Sequence, residues 1–383
     1  MPLVLSVLHL PLDTPELRFW QSIATLMGPD RLQSEIIWAF AIWGSFFIGC
    51  AVVPPSTKAP EERQPVGKIA GWKLVLLSAG AASLLFGVAW AATNRGLLFR
   101  GYADAYDDVV RGPLQGALVY TSVAFVIAFL MRRRLGRSSF LLNGISLIIL
   151  TILSLSVGTR SMPVMVVIML VALASRLRGG LSRGVLLSAS VVAIAGFSAL
   201  AAWRQGGGNL RFALLTPALE PLYTYISAAT YLAFNDTPLM GFPSPLLGSL
   251  ANLIPRALWP EKVDFVASLT ENIKMFAPLG ATHLFASLLI NFGWIGGVAA
   301  SFGAGAGIER LSRCKGAVLT TSYALITAVL ATDVWRNPFS QSLIKSVLQG
   351  AFLVPAILAI GASAFASLRH RRVVHPIADA AEA

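Results

Sequence analysis

The feature that most constrains this chain is the recurrence of apolar stretches of about membrane-spanning length. Short basic connections separate many of them. A helix needs about 20 apolar residues to cross a bilayer, with a range of roughly 17–25. Stretches meeting or approaching that length lie at 36–53, 71–92, 114–131, 138–157, 161–175, 184–202, 281–308, 317–335 and 343–366. The fifth is short, and the seventh is long and rich in glycine. Composition agrees: 56% of the residues are hydrophobic and 13% charged, about half the charged share of a soluble domain. The mean hydropathy is +0.70. An all-α polytopic membrane protein with about nine or ten transmembrane helices is the expectation.

Charge placement sets the orientation. Lys and Arg collect in 54–73, 132–137 (RRRLGR), 176–183 (RLRGGLSR), 309–316 (ERLSRCKG) and the tail at 369–372. These five segments alternate with the spans so that all can face the cytoplasm, the side on which basic residues concentrate. The net charge of +12 is therefore a topology signal. It forms no stripe of the kind nucleic acid requires, and no nucleic-acid partner is expected. Cys50 and Cys314 stand far apart without metal-ligand spacing, so neither a disulfide nor a zinc site is indicated. Residues 1–12 lack a basic n-region and a small-residue cleavage site, and do not read as a cleaved signal peptide.

The division that follows is an N-terminal set of about six spans over 1–202, a large external loop over 203–280, about three spans over 281–366, and a cytoplasmic tail at 367–383. A connection as long as 203–280 is usually functional or disordered, and its aromatic content argues against disorder. Within it, 215–234 reads as an interfacial helix, because Pro217, Glu220 and Pro221 interrupt it and a further span would invert every later basic cluster. In the seventh span Gly293, Gly297, Ser301 and Gly305 recur every four residues, a small-residue strip suited to close helix packing.

Arg160 lies in the turn Gly158-Thr159-Arg160-Ser161-Met162-Pro163 between the fourth and fifth spans. The sixteen steps from Arg160 to Arg176 on the opposite side amount to roughly 24 Å of helix, less than a ~30 Å hydrocarbon core. Arg160 is thus drawn below the surface. Ser161 and Pro163 are start signals for a helix, and an arginine at a helix N-terminus suits a phosphate. A snorkelling arginine that anchors the turn is the plainer alternative. Arg204 and Arg211 bracket Gly206-Gly207-Gly208, where backbone amides can approach an anionic ligand, although a hinge with two solvated arginines fits equally. Arg256, Trp259 and Lys262 sit among prolines, and an aromatic face beside cations suits a sugar.

His283, where the loop re-enters the membrane, is a candidate general base; a locally hydrogen-bonded interfacial histidine is the alternative. The acids Glu220, Asp236, Glu261, Asp264 and Glu271 form no DxD or other metal-binding spacing, so neither metal nor cofactor is expected. Asp333 and Arg336, three apart at the end of the eighth span, suit a pair on one helix face, with a site role for Arg336 as the alternative.

The GTRSMP turn, the IPRALWPEK segment (254–262) and the THLFASLLINFGWIGG re-entry (282–297) resemble the bacterial Wzy-type O-antigen and exopolysaccharide repeat-unit polymerases. The resemblance covers about 150–345, with loose motifs, and an R-x10-G loop pattern described for some members is missing. It implies a GT-C-like, inverting, metal-independent glycosyltransferase of the bacterial inner membrane, with its active site facing the periplasm. Its substrate would be undecaprenyl-pyrophosphate-linked oligosaccharide, and a chain-length regulator protein is a further candidate partner. Arg160, helped by Arg204, Arg211 or Arg256, would then stabilise the pyrophosphate leaving group. His283, or an acid such as Asp236, would deprotonate the acceptor hydroxyl. An O-antigen ligase shares this chemistry, whereas a lipid-glycan flippase is expected to have about a dozen spans and no large external loop.

Overall fold

In a computed structural model, the described residues are 33, 37–54, 66–98, 108–159, 161–178, 180, 182, 184–185, 187–188, 191, 195–196, 231, 235–251, 254, 258–262, 265, 284–333 and 343–379. Among them the regular structure is entirely helical. We number the helices α1 (Ile37–Val52), α2 (Val66–Thr93), α3 (Asp108–Leu135), α4 (Arg137–Ser156), α5 (Ser161–Arg178), α6 (Ser244–Ala251), α7 (Leu284–Arg313) and α8 (Ala317–Asp333). The last, α9, opens as a π-helix over Leu343–Leu353 and continues as an α-helix over Val354–Asp379. Five of these helices (α2, α3, α4, α7 and α9) are long and apolar enough to cross a membrane; α1 and α8 contain shorter apolar runs. The chain is thus a helical protein suited to multiple membrane crossings. The sixth expected span, 184–202, falls largely outside the described residues.

The chain divides into two compact units. One holds residues 51–217, 306–333 and 341–383. In it α2 packs against α3, α4 and α9, while α8 packs against α5, α3 and α9. Its core joins Leu76, Val123, Ile127, Met165, Met169, Leu325 and Val329. A second cluster of Trp90, Leu114, Leu118, Leu150 and Val157 lies toward the α4–α5 turn.

Apolar tails of lipid give no hydrophobic drive for helices to associate, so close backbone approach and polar contacts carry the packing. Both are present. Gly71 of α2 lies so near the Ala362 carbonyl of α9 that no side chain fits between them. From α4, Asn143 Nδ2 donates to the Leu76 carbonyl of α2 at 2.8 Å, and Ser146 Oγ donates to the Gly80 carbonyl at 2.9 Å. Where α9 changes from π to α, Pro355 has no N–H to offer the Ala351 carbonyl four residues back. Ser322 Oγ of α8 donates to that carbonyl instead.

Chain reversals follow glycine. Gly136 (φ 81°) separates α3 from α4, and Gly316 (φ 106°) separates α7 from α8. The Arg176 guanidinium, in the last turn of α5, donates to the Leu311 and Cys314 carbonyls and lies 5.1 Å over the Tyr323 ring. Two of the basic segments, 176–183 and 309–316, therefore share one end of this unit, as the charge alternation requires.

The other unit holds residues 1–50, 218–305 and 334–340. The small-residue strip of α7 acts there as a packing seam. Gly305 abuts the Phe46 carbonyl of α1 with no room for a side chain, and Ser301 Oγ donates to the Ile42 carbonyl at 2.8 Å. Gly297 faces Ile42 as well. Gly293 departs from the expected strip: at φ 69° and ψ −165° it interrupts α7.

Candidate functional site

The turn between α4 and α5 is built by a glycine cap. Gly158 takes φ 74°, the left-handed region that glycine enters without a Cβ penalty. Its N–H donates to the Leu155 carbonyl at 2.9 Å, and the Thr159 N–H donates to the Ser154 carbonyl at 3.0 Å. These two bonds are the Schellman pair that closes a helix C-terminus. The chain then has Arg160 alone before α5 begins at Ser161, with Pro163 in its first turn, where a missing N–H costs least. The helix start expected from Ser161 and Pro163 is therefore present.

Around this cap the side chains are buried. Val157 is packed in the apolar cluster with Trp90 and Leu153. Thr159 is 5% exposed and Ser154 is 0% exposed, yet Thr159 Oγ1 and Ser154 Oγ have no hydrogen-bond partner among the described residues. Ser156, next to them, donates its hydroxyl to the Leu153 carbonyl at 2.8 Å. Buried hydroxyls are normally paired, and each exception calls for an explanation. Both hydroxyls lie within seven residues of the start of α5, whose first N–H groups have no intrahelical acceptor. Neither hydroxyl is among the candidate residues that the sequence singles out. The run Ser154-Leu155-Ser156-Val157-Gly158-Thr159, with hydroxyls inside a span end, was the available signal.

The other unit contains the described part of the long connection. Asp236 is exposed. Trp259 stacks obliquely on Phe265, with ring centroids 5.2 Å apart. Lys262 is 8% exposed, and its Nζ donates to the Ile254 carbonyl while its N–H reaches the Trp259 carbonyl at 3.4 Å. Trp259 and Lys262 thus belong to one closed turn, with the ammonium directed into its own backbone. Burial pushes the Tyr231 phenol above its ordinary value, so it stays a neutral hydroxyl at physiological pH. Among the described residues no three His, Cys, Asp or Glu side chains gather as a metal-holding group.

Of the sequence-derived candidates, Asp236, Trp259 and Lys262 lie within the described residues. Arg160, Arg204, Arg211, Arg256, His283 and Arg336 lie outside them, as do the side chain of Asp333 and most of 215–234. No family model, curated protein or solved structure matches the chain.

Proposed function

We propose that this chain is a glycosyltransferase of the bacterial inner membrane that polymerises undecaprenyl-pyrophosphate-linked repeat units at the periplasmic face. It would have about nine spans and a GT-C-like arrangement. Inversion at the anomeric carbon needs an acceptor hydroxyl to lose its proton and a pyrophosphate to leave. Arg160 is assigned to the leaving pyrophosphate, with Arg204, Arg211, Arg256 or Arg336 as further anion contacts. Guanidinium groups can neutralise such charge without a metal. His283, or Asp236 in its place, takes the proton. Trp259 holds sugar, and Lys262, whose ammonium is bonded to the Ile254 carbonyl, fixes the turn that carries it.

The observation that supports this reading most is the α4–α5 turn: a glycine cap and the buried hydroxyls of Ser154 and Thr159, without a hydrogen-bond partner among the described residues, stand within the six residues before Arg160 and the start of α5. Phosphate oxygens satisfy orphan donors and a helix N-terminus at once.

The test is deletion of the gene in its host, with surface glycan resolved by gel. Loss of polymerisation leaves single repeat units attached and supports the proposal. Absence of attached glycan with accumulated lipid-linked chains identifies a ligase; lipid-linked single units trapped on the cytoplasmic side identify a flippase. Complementation with Arg160→Ala at equal protein level should fail to restore the ladder, and a wild-type ladder would remove the pyrophosphate assignment. Activity retained by His283→Ala would move the base to an acid.

A further inference from the structure

The interruption of α7 at Gly293 is stitched to a segment distant in sequence. Trp294 and Ile295, which open the second part of α7, donate their N–H groups to the Pro238 and Leu239 carbonyls at 3.0 and 2.8 Å. In return the Gly241 N–H donates to the Phe292 carbonyl at 2.8 Å. Gly241 and Gly293 meet backbone to backbone, leaving no space for a Cβ at either position. One turn away, Asn291 Oδ1 accepts the Leu246 N–H of α6 at 2.9 Å, while Asn291 Nδ2 donates to the Ser287 carbonyl at 2.7 Å. Asn291 is 1% exposed. Segment 238–246 is thereby tied to α7 at the level of residues 291–295.

That level lies inside a candidate membrane span, 286–313. From Trp294 to Glu309, the first charged residue along α7, is fifteen steps, or about 23 Å of helix. A hydrocarbon core is about 30 Å thick, so the break sits within it, on the half away from the basic end at Arg310 and Arg313. Any tilt of α7 shortens the projected distance and keeps the break inside. Irregular backbone at that depth must satisfy its polar groups within the protein, and the bonds between 238–241 and 292–295 pair three N–H groups with three carbonyls at the break. Meanwhile the side chains on the outer surface of this segment are apolar: Leu239 is 66%, Met240 67% and Phe242 73% exposed. Leu247 and Leu250 of α6 continue the surface, and Ile295 of α7 is exposed as well.

We propose that residues 238–250 form a re-entrant element whose Leu239, Met240 and Phe242 side chains are immersed in lipid acyl chains. The element rests on α7 being a membrane span, but not on the proposed glycan chemistry. Its polar backbone is turned onto the helix break and its apolar side chains onto the bilayer. Part of the long connection thus lies at membrane depth, where it is held by the span that follows it.

The test is spin-label accessibility on the full chain in vesicles of phosphatidylethanolamine and phosphatidylglycerol, in a Cys50→Ser/Cys314→Ser background. Labels at Met240→Cys and, in a separate variant, Phe242→Cys are compared with one at Asp236→Cys. At positions 240 and 242, dissolved oxygen should relax the label more strongly than a water-soluble nickel chelate, with the ratio several-fold above that at 236. Equal access of the nickel chelate at all three positions would overturn the proposal by placing the element in water. Protection from both reagents would overturn it too, by showing that protein, either another part of this chain or a second copy, covers the surface.

Discussion

At the residue scale, the α4–α5 turn separates binding from folding. Thr159 is buried, and its hydroxyl has no partner among the described residues, so Thr159→Val keeps the shape and removes that donor. Stability, read by thermal unfolding in detergent, should be unchanged or raised. If the hydroxyl bonds a pyrophosphate oxygen, transfer should slow about 10- to 100-fold, since a hydrogen bond to a charged group contributes about 1.5–3 kcal/mol. Unchanged transfer would show that the hydroxyl has no ligand. Gly158 tests the scaffold: Gly158→Ala forces a Cβ into the left-handed region, which costs roughly 1–2 kcal/mol, and should lower the unfolding temperature. Ser322→Ala should destabilise by about 1–3 kcal/mol, because the Ala351 carbonyl loses its donor beside Pro355.

At the element scale, legibility tracked periodicity and punctuation. The apolar stretches at 71–92 and 114–131 each became the middle of a longer helix, Val66–Thr93 and Asp108–Leu135, while 138–157 coincides with Arg137–Ser156 to within one residue at each end. Ser161 and Pro163 marked a helix start that is present. The strip Gly297, Ser301 and Gly305 was readable as a seam because its spacing of four fixes one helix face. Gly293 shares that spacing but interrupts the helix, and no local signal announces it. The reason is non-local: its conformation depends on carbonyls of Pro238 and Leu239, more than fifty residues earlier. The same is true of the orphan hydroxyls, whose burial comes from tertiary packing. Gly293→Ala should therefore be costly, because φ 69° with ψ −165° is a region essentially reserved for glycine and the Pro238 carbonyl occupies the Cβ position. Proteolysis of purified variants should show faster cleavage within 238–250; unchanged cleavage would indicate that the break is not needed to hold the segment.

At the scale of the whole molecule, five helices of spanning length among the described residues, and the contact of Arg176 with the basic 309–316 segment, fit a protein organised by the bilayer. The central claim is that this organisation serves transfer of a lipid-linked glycan. Its most direct measurement is made with the purified chain in vesicles, supplied with an undecaprenyl-pyrophosphate-linked repeat unit and no other protein, with product length resolved on a gel. A ladder of repeat units is expected in wild type, and its loss in Arg160→Ala. A wild-type chain that is folded and correctly inserted, yet leaves the repeat unit at its starting length, would contradict that claim.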